Sequence, residues 1–291
     1  VDLTEFAEGV GTEGPVTIAG RSTRGGAVPG VRAVAAPSGI EWVRAEEMTV
    51  RCGAGTPVAD LDDALAQVGQ SVVLPPSGTV GGALAVGRSG IRRLGTGHLR
   101  DALLQARYVS AAGEVVQAGG PTVKNVTGFD LCRLLVGSRG TLGFLGDVIL
   151  RTRPRARFEQ WYVGPADFEP VVAALYRPSS VLWDGASTWV LLEGDRRDVE
   201  EEAARAGLQP SDPPGQLPTG GRWSLPPTQL RTLEGTGRFV AEVGVGVVHH
   251  EHPAPVRAPD PAVVALHRRI KERFDPAGRL NPGVTVLGAD H

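Results

Sequence analysis

Aromatic residues make up only 5% of this 291-residue chain, so the stacking platforms that single-stranded nucleic acid needs are scarce. Charge of one sign is lacking too: 30 lysines and arginines face 32 acidic residues, for a formal net charge of −2. Arginines gather in RSGIRR and RTRPRAR, but acidic groups answer them elsewhere, and no nucleic-acid partner is expected. Cysteine is almost absent. Cys52 and Cys132 lie far apart, too few for a disulfide framework, and they read as buried thiols of a reducing compartment. No uninterrupted apolar stretch is long enough to span a bilayer, and the opening VDLTEF has no basic region followed by an apolar core. The expectation is a cytoplasmic protein with no integral membrane segment, peripheral to a membrane only through partners. Both familiar nucleotide fingerprints are missing. GSRGTLG lacks the G-x-G-x-x-G order and no G-x-x-x-x-G-K-[ST] segment occurs, which disfavours a Rossmann site or a P-loop.

Glycine and proline, by contrast, are abundant, at 40 and 23 residues, spread among apolar runs without a collagen-like period. A hydrophobic share of 41% excludes a disordered chain. Val16 to Ala19 reads as a strand running into a glycine loop, and VRAVAA and MTVRCGAG read as further strands. Thr56 is placed to cap a helix with Pro57 at its first position. Val58, Leu61, Leu65 and Val68 form its apolar stripe, and Gly69 ends it. YVSAAGEVVQAGG predicts a hairpin, Asp130 predicts a cap for a short helix to Val136, and TLGFLGDVILRTRP predicts a long strand. Asp260 and Pro261 start a helix with Val263, Leu266, Ile270 and Phe274 on one face, stopped by FDPAGRLNPG. Composition changes near Pro154, which divides the chain into residues 1–155, a smaller layer at 156–236 and a C-terminal segment at 237–291.

Three stretches concentrate the glycine: IAGRSTRGG, PSGTVGGALAVGRSG and VTGFDLCRLLVGSRGTLG. A phosphate-bearing ligand needs several backbone N–H groups pointing inward, and glycine permits both close approach and positive φ. Ser22, Thr23, Ser77, Thr79 and Ser89 add hydroxyl donors. From composition alone, glycines that merely serve turns in a β-rich fold explain these stretches equally well.

The order of that first loop, then PPSGTVGGALAVGRSG, LRDALLQARYVSAAGEVVQAGG and KNVTGFDLCRLLVGSRGTLG, with FDPAGRLNPG near the end, resembles a known family. It is similar to the PCMH-type FAD-binding flavoproteins (vanillyl-alcohol oxidase and p-cresol methylhydroxylase), and within them to the GlcE-like branch of glycolate oxidase FAD-binding subunits. The resemblance implies an α+β chain: a PCMH-type FAD-binding fold of two α/β subdomains at 1–155, a reduced cap-like α+β domain at 156–236, and a 237–291 segment returning to either. It implies that Ala19, Gly20, Arg21, Ser22, Thr23, Gly25 and Gly26 lie on the FAD pyrophosphate, as do Pro76, Ser77, Gly78, Thr79, Gly81 and Gly82, with Ser89 as a further donor. Lys124, Asn125, Thr127 and Gly128 would pass near the flavin, where amide and hydroxyl can bond the ring edge and a lysine can stabilise the reduced ring, and Gly140 would shape the turn near the adenosine half. A turn cap for Asn125 and Thr127 and a solvent-facing Lys124 stand beside those roles. GRSTRGGA carries no histidine for a covalent tether, so the FAD is expected to be noncovalent.

No catalytic base declares itself. Among VVHHEHP, His249 and His250 are candidates because imidazole exchanges protons near neutral pH, although a surface cluster before a proline-rich loop explains them as well. Their spacing indicates no fourth ligand, and no metal is expected. Trp183 and Asp184 are considered for the ring face. The resemblance implies a subunit of a heteromeric complex that oxidises a small 2-hydroxy acid, alongside a second flavoprotein subunit and an iron-sulfur subunit, with electrons leaving to an acceptor other than NAD. The middle region is short for the substrate cap of relatives that oxidise hydroxy acids, which suits a chain whose partner oxidises the substrate. Two cysteines cannot hold such clusters in this chain. A self-sufficient FAD oxidase or dehydrogenase of an alcohol or hydroxy acid, and a non-catalytic FAD-binding module, are the alternatives.

Overall fold

A computed structural model of the chain describes residues 1–120 and 130–287. The chain divides into two compact units, one of Val1–Ser89, His98–Arg155 and Ala258–Leu287, the other including Gly90–Gly97 and Ala156–Arg257.

In the first unit, an antiparallel sheet runs in the order Ile40–Arg44, Thr49–Gly53, Phe144–Pro154, Leu103–Val109, Val115–Gly119, and Gln70–Val72 pairs with the far end of Phe144–Pro154. The long central strand exists because Phe144 to Leu150 are all buried, apolar on both faces apart from Gly146 and Asp147. Asp147 is buried at its centre and pairs with Arg51 and Arg107. Helices Val58–Ala66, Val80–Val86 and Leu131–Leu135 cover the sheet with Leu61, Leu65, Leu84 and Leu135. A separate parallel pair, Val16–Ala19 with Arg32–Ala35, packs with helix Thr4–Val10 around Phe6, Val10, Val16 and Leu280.

Several local expectations are corrected. Thr56 does not cap the helix at Val58: its hydroxyl accepts from the Gly39 N–H at 2.9 Å, and Pro57 takes the cap position. Val68 falls past the helix end at Ala66 and is 44% exposed, because the turn to Gly69 swings it off the buried stripe. PPSGTVGGALAVG contains a helix, Val80–Val86, and Ile40–Arg44 is an additional strand. Helix Pro261–Phe274 forms as predicted, with the Asp260 carboxylate accepting from the Ala262 N–H at 2.7 Å, but Val263 and Leu266 on its apolar face are exposed.

Its C-terminal end is anchored through charge. Lys271 Nζ donates to the Thr141 carbonyl at 2.8 Å and pairs with Asp275, whose carboxylate also accepts from the Arg279 and Leu280 N–H groups. Arg279, itself buried, satisfies its guanidinium with the carbonyls of Val10, Gly11, Glu13, Gly14 and Ala111. FDPAGRLNPG therefore fastens the N-terminal helix and strand together.

The second unit is a seven-stranded antiparallel sheet in the order Gln209–Ser211, Phe158–Gly164, Thr188–Gly194, Ser180–Trp183, Phe239–Glu242, Val247–His250, Gly221–Ser224. Helices Phe168–Ala174 and Arg196–Arg205 close over Tyr162, Val181, Val190, Phe239 and Val248. Trp183 belongs to this core: it is fully buried between Phe168 and Phe239, and its indole N–H donates to the Ala166 carbonyl. The Asp184 carboxylate is taken up by the turn that follows, accepting from the Ala186 and Ser187 N–H groups. Neither side chain is available to a ring.

Candidate cofactor site

Four segments of the first unit converge on a cleft of about 1100 Å³, counting the solvent at its mouth. The first is the loop from Ala19 to Gly26, which leaves the strand Val16–Ala19. The second begins at Thr79, whose hydroxyl caps Val80–Val86 by accepting from the Gly82 N–H at 3.1 Å. That helix lies tight on the end of Thr49–Gly53: the Gly81 N–H donates to the Ala54 carbonyl at 2.7 Å, and a Cβ on Gly81 would stand 2.9 Å from that oxygen. Only glycine allows the contact.

The third segment, Leu135 to Gly140, hooks onto the helix end, with Gly137 N–H donating to the Leu84 carbonyl and Arg139 N–H to that of Ala85. The fourth is the C-terminal stretch holding Asn281 and Val284. Of the four non-glycine residues with positive φ among the described residues, Ser22, Arg139 and Asn281 line this cleft, and only Met48 lies elsewhere. Left-handed backbone at side-chain-bearing residues costs energy and persists where the surroundings over-determine it, a pattern that clusters at ligand sites.

The lining chemistry is one-sided. Arg21, Arg24 and Arg139 contribute to it, and no described lining residue is a carboxylate. Ile18, Val86, Leu135, Phe144, Leu145 and Val284 supply apolar surface. Backbone-rich glycine walls, cationic side chains and an apolar flank suit a ligand with a phosphoanhydride and flat rings, and FAD fits that description.

Most of the residues expected in the first two loops fall on the lining: Ala19, Gly20, Arg21, Ser22, Thr23, Gly25, Gly26, Thr79, Gly81 and Gly82, and with them Gly140. Pro76, Ser77 and Gly78 stand behind the lining, where Ser77 Oγ meets Arg24 at 3.3 Å. Ser89 is also off it, its hydroxyl accepting from the Leu99 N–H. Lys124, Asn125, Thr127 and Gly128 lie outside the described residues. Arg24, Gly55, Ser138, Arg139 and Asn281 join the lining without a signal of their own in the sequence, apart from the neighbourhood of glycines.

The histidines belong to the second unit. His250 is buried, stacked on Trp223, with Nδ1 accepting from the His252 N–H and Nε2 bonded to the Thr236 hydroxyl. Burial, then the neighbouring His252, pull its pKa below the ordinary imidazole value. His249 is different: its Nε2 pairs at 2.9 Å with Glu242, a buried carboxylate. No group of three or more potential metal ligands occurs among the described residues.

The family model described as FAD binding domain matches residues 16–119, and that of the FAD linked oxidases, C-terminal domain, matches residues 229–285. The chain belongs to the FAD-linked oxidases. The first match contains the first two cleft segments and the second contains FDPAGRLNPG and Asn281. This FAD-linked chain is 28% identical to glycolate oxidase subunit GlcE of Escherichia coli over 297 aligned positions, 81% of each protein. It is 38% identical to D-lactate dehydrogenase of Archaeoglobus fulgidus over 118 positions, 40% of this chain and 27% of that one. Among solved structures, alkyldihydroxyacetonephosphate synthase superposes with a TM-score of 0.66 at 14% identity, covering 92% of this chain and 71% of the other, a likeness of fold.

Proposed function

We propose that this FAD-dependent oxidoreductase is the flavin-carrying subunit of a 2-hydroxy acid dehydrogenase complex of the glycolate oxidase kind, delivering electrons to an acceptor other than NAD. The observation that carries the reading is a cleft with three arginines and no carboxylate among its described lining residues, in a chain similar over 81% of its length to a glycolate oxidase subunit. The first unit serves as the FAD-binding domain and Ala156–Arg257 as a reduced cap. A second flavoprotein subunit and an iron-sulfur subunit complete the route, because two buried cysteines leave this chain without ligands for a cluster.

FAD, when bound, would supply the two-electron acceptance that oxidation of a 2-hydroxy acid to the 2-oxo acid requires. The loops Ala19–Gly26 and Pro76–Gly82 hold its diphosphate, and Gly140 shapes the turn near its adenosine half. The lining contains no histidine, cysteine or tyrosine among its described residues, which supports dissociable FAD. Oxidation of a hydroxy acid also releases the hydroxyl proton. By residue type His249 and His250 remain the candidates to take it; both ring nitrogens of His250 are engaged, and His249 is paired through Nε2 with Glu242.

The test is a visible spectrum of the purified chain under anaerobic conditions, with glycolate, D-lactate or D-2-hydroxyglutarate added, alone and with its partner subunits. Flavin bands that bleach only with partners present support the subunit reading. Bleaching by the chain alone makes it self-sufficient, and the absence of flavin after incubation with FAD rejects the cofactor assignment. Acid treatment is expected to release the flavin into the supernatant.

A further inference from the structure

Arg24 is the one cleft residue that glycine-loop geometry leaves unexplained. It stands between Thr23 and Gly25, and its side chain crosses to the second loop, where Nη2 donates to Ser77 Oγ at 3.3 Å. The guanidinium lies directly over Gly78: a Cβ on that residue would stand 2.6 Å from Arg24 Nη1. The crossing is therefore possible only because position 78 is glycine.

Nη1 is buried and has no hydrogen-bond partner among the described residues. Burial is the sole influence on the guanidinium's proton affinity, pulling it below its ordinary value, with no carboxylate offsetting it. Arginine does not escape by deprotonating, so a cationic N–H without a partner bears its full desolvation cost. Arg21 is exposed, and Arg24 and Arg139 are both half-buried, but of the three only Arg24 has a buried guanidinium nitrogen without a partner among the described residues. Arg24 has the geometry of a group waiting for an anion: it lines the cleft, bridges the two loops through Ser77, and keeps Nη1 without a partner among the described residues.

We propose that Arg24 is the counter-charge for the diphosphate of bound FAD, joining the two glycine loops through the ligand, and that it makes the cleft favour diphosphate-bearing ligands over riboflavin. The inference rests on the FAD reading above. Position 24 then sets ligand selectivity where the glycines set only access.

The test uses the full chain freed of flavin and titrated with FAD, ADP and riboflavin, by calorimetry and by flavin fluorescence. Arg24→Gln is expected to weaken FAD and ADP about ten- to a hundredfold while riboflavin affinity stays as in the wild type, the loss typical of a charge-assisted contact. Arg24→Lys keeps the charge and should recover most of the affinity. Wild-type affinity for ADP should fall with added KCl, and that for riboflavin should not. The proposal is overturned if Arg24→Gln, folded by circular dichroism, binds FAD and ADP like the wild type, or loses riboflavin to the same degree. Should Arg24→Gln not fold, wild-type ADP binding that is absent or indifferent to salt overturns it equally. A wild-type chain that binds ADP but not FAD would reject the flavin reading and leave the diphosphate clamp standing.

Discussion

Asn281 and Thr17 are joined by a 2.8 Å hydrogen bond across 264 residues of sequence. The Asn281 Oδ1 that accepts it also accepts from the Ile18 N–H at 3.1 Å, while Nδ2 donates to the Arg139 carbonyl at 2.6 Å. One carboxamide thus ties the first strand, the third cleft segment and the C-terminal stretch, and it does so from a left-handed backbone, φ 44°, that asparagine tolerates better than most residues. Asn281→Ala leaves Thr17 Oγ1, Ile18 N–H and the Arg139 carbonyl short of a partner and adds backbone strain. The expected loss is about 2–4 kcal/mol of unfolding free energy, read from urea denaturation, with FAD affinity falling in parallel. Asn281→Asp should lie between: it still accepts from Thr17 and Ile18 but sets an anion against the Arg139 carbonyl.

Gly78 is the second-loop glycine whose substitution is predicted to tell on the Arg24 crossing. Its φ of 76° is left-handed, and a Cβ there would meet Thr23 Oγ1 at 2.3 Å as well as Arg24. Both obstacles are side-chain ends that can turn away, so Gly78→Ala should fold, at a cost of about 1–2 kcal/mol from strain. It would fold with Arg24 displaced. The expected signature is a modest drop in the urea midpoint alongside a clear loss of FAD affinity. A variant that loses stability alone would separate Gly78 from the clamp.

The contrast between Gly81 and Arg24 illustrates how far sequence reasoning reaches. A glycine in a loop is legible because only backbone freedom or close approach favours it, and the crowding at Gly78 and Gly81 is of that kind. Burial of a charge is not legible: nothing in GRSTRGG tells which arginine turns inward, since that depends on Ser77 and Gly78 some fifty positions on. Helix Val80–Val86 is hidden for a related reason. Two glycines lower its intrinsic propensity, and it forms because Thr79 caps it and Val80, Ala83 and Leu84 are buried, which are tertiary facts. Periodicity likewise places Val263 and Leu266 on one face of Pro261–Phe274 without revealing that this face is uncovered. Thr56 has the local chemistry of a cap and spends it on Gly39.

Both cysteines are predicted to be inert in the native protein. Burial pushes the Cys52 thiol up to about 12, with the Asp147 carboxylate adding to the effect, and burial pushes Cys132 up to about 11. The thiolate is the reactive form, so at pH 8 almost none is present. A disulfide reagent such as DTNB should label neither thiol in the folded chain and both in denaturant. Prompt labelling of Cys132 without denaturant would count against its buried position beneath the Leu104 and Ala118 carbonyls.

Acidification should weaken the second unit through His250. The ring is buried against Trp223, its Nε2 meets the Thr236 hydroxyl, and the titratable groups facing it are His252 and Glu251. Its pKa is lowered from the ordinary 6.5 chiefly by burial, so the folded state prefers the neutral ring while the unfolded chain takes up a proton more readily. The sign follows from linkage: the unfolded state binds more protons, so stability is fully present above about pH 6.5 and is lost as pH falls toward the folded value. Carboxylates held low, such as Glu41 paired with the N-terminal ammonium, act only below their ordinary 4.5 and do not enter this window. Urea midpoints measured from pH 7.5 to 5.5 should therefore decline in the wild type. His250→Gln, which removes the titrating ring, should start lower because the Trp223 stack is lost, and should run flat over the same interval. Equal slopes in the two proteins would show that the acid sensitivity does not come from His250.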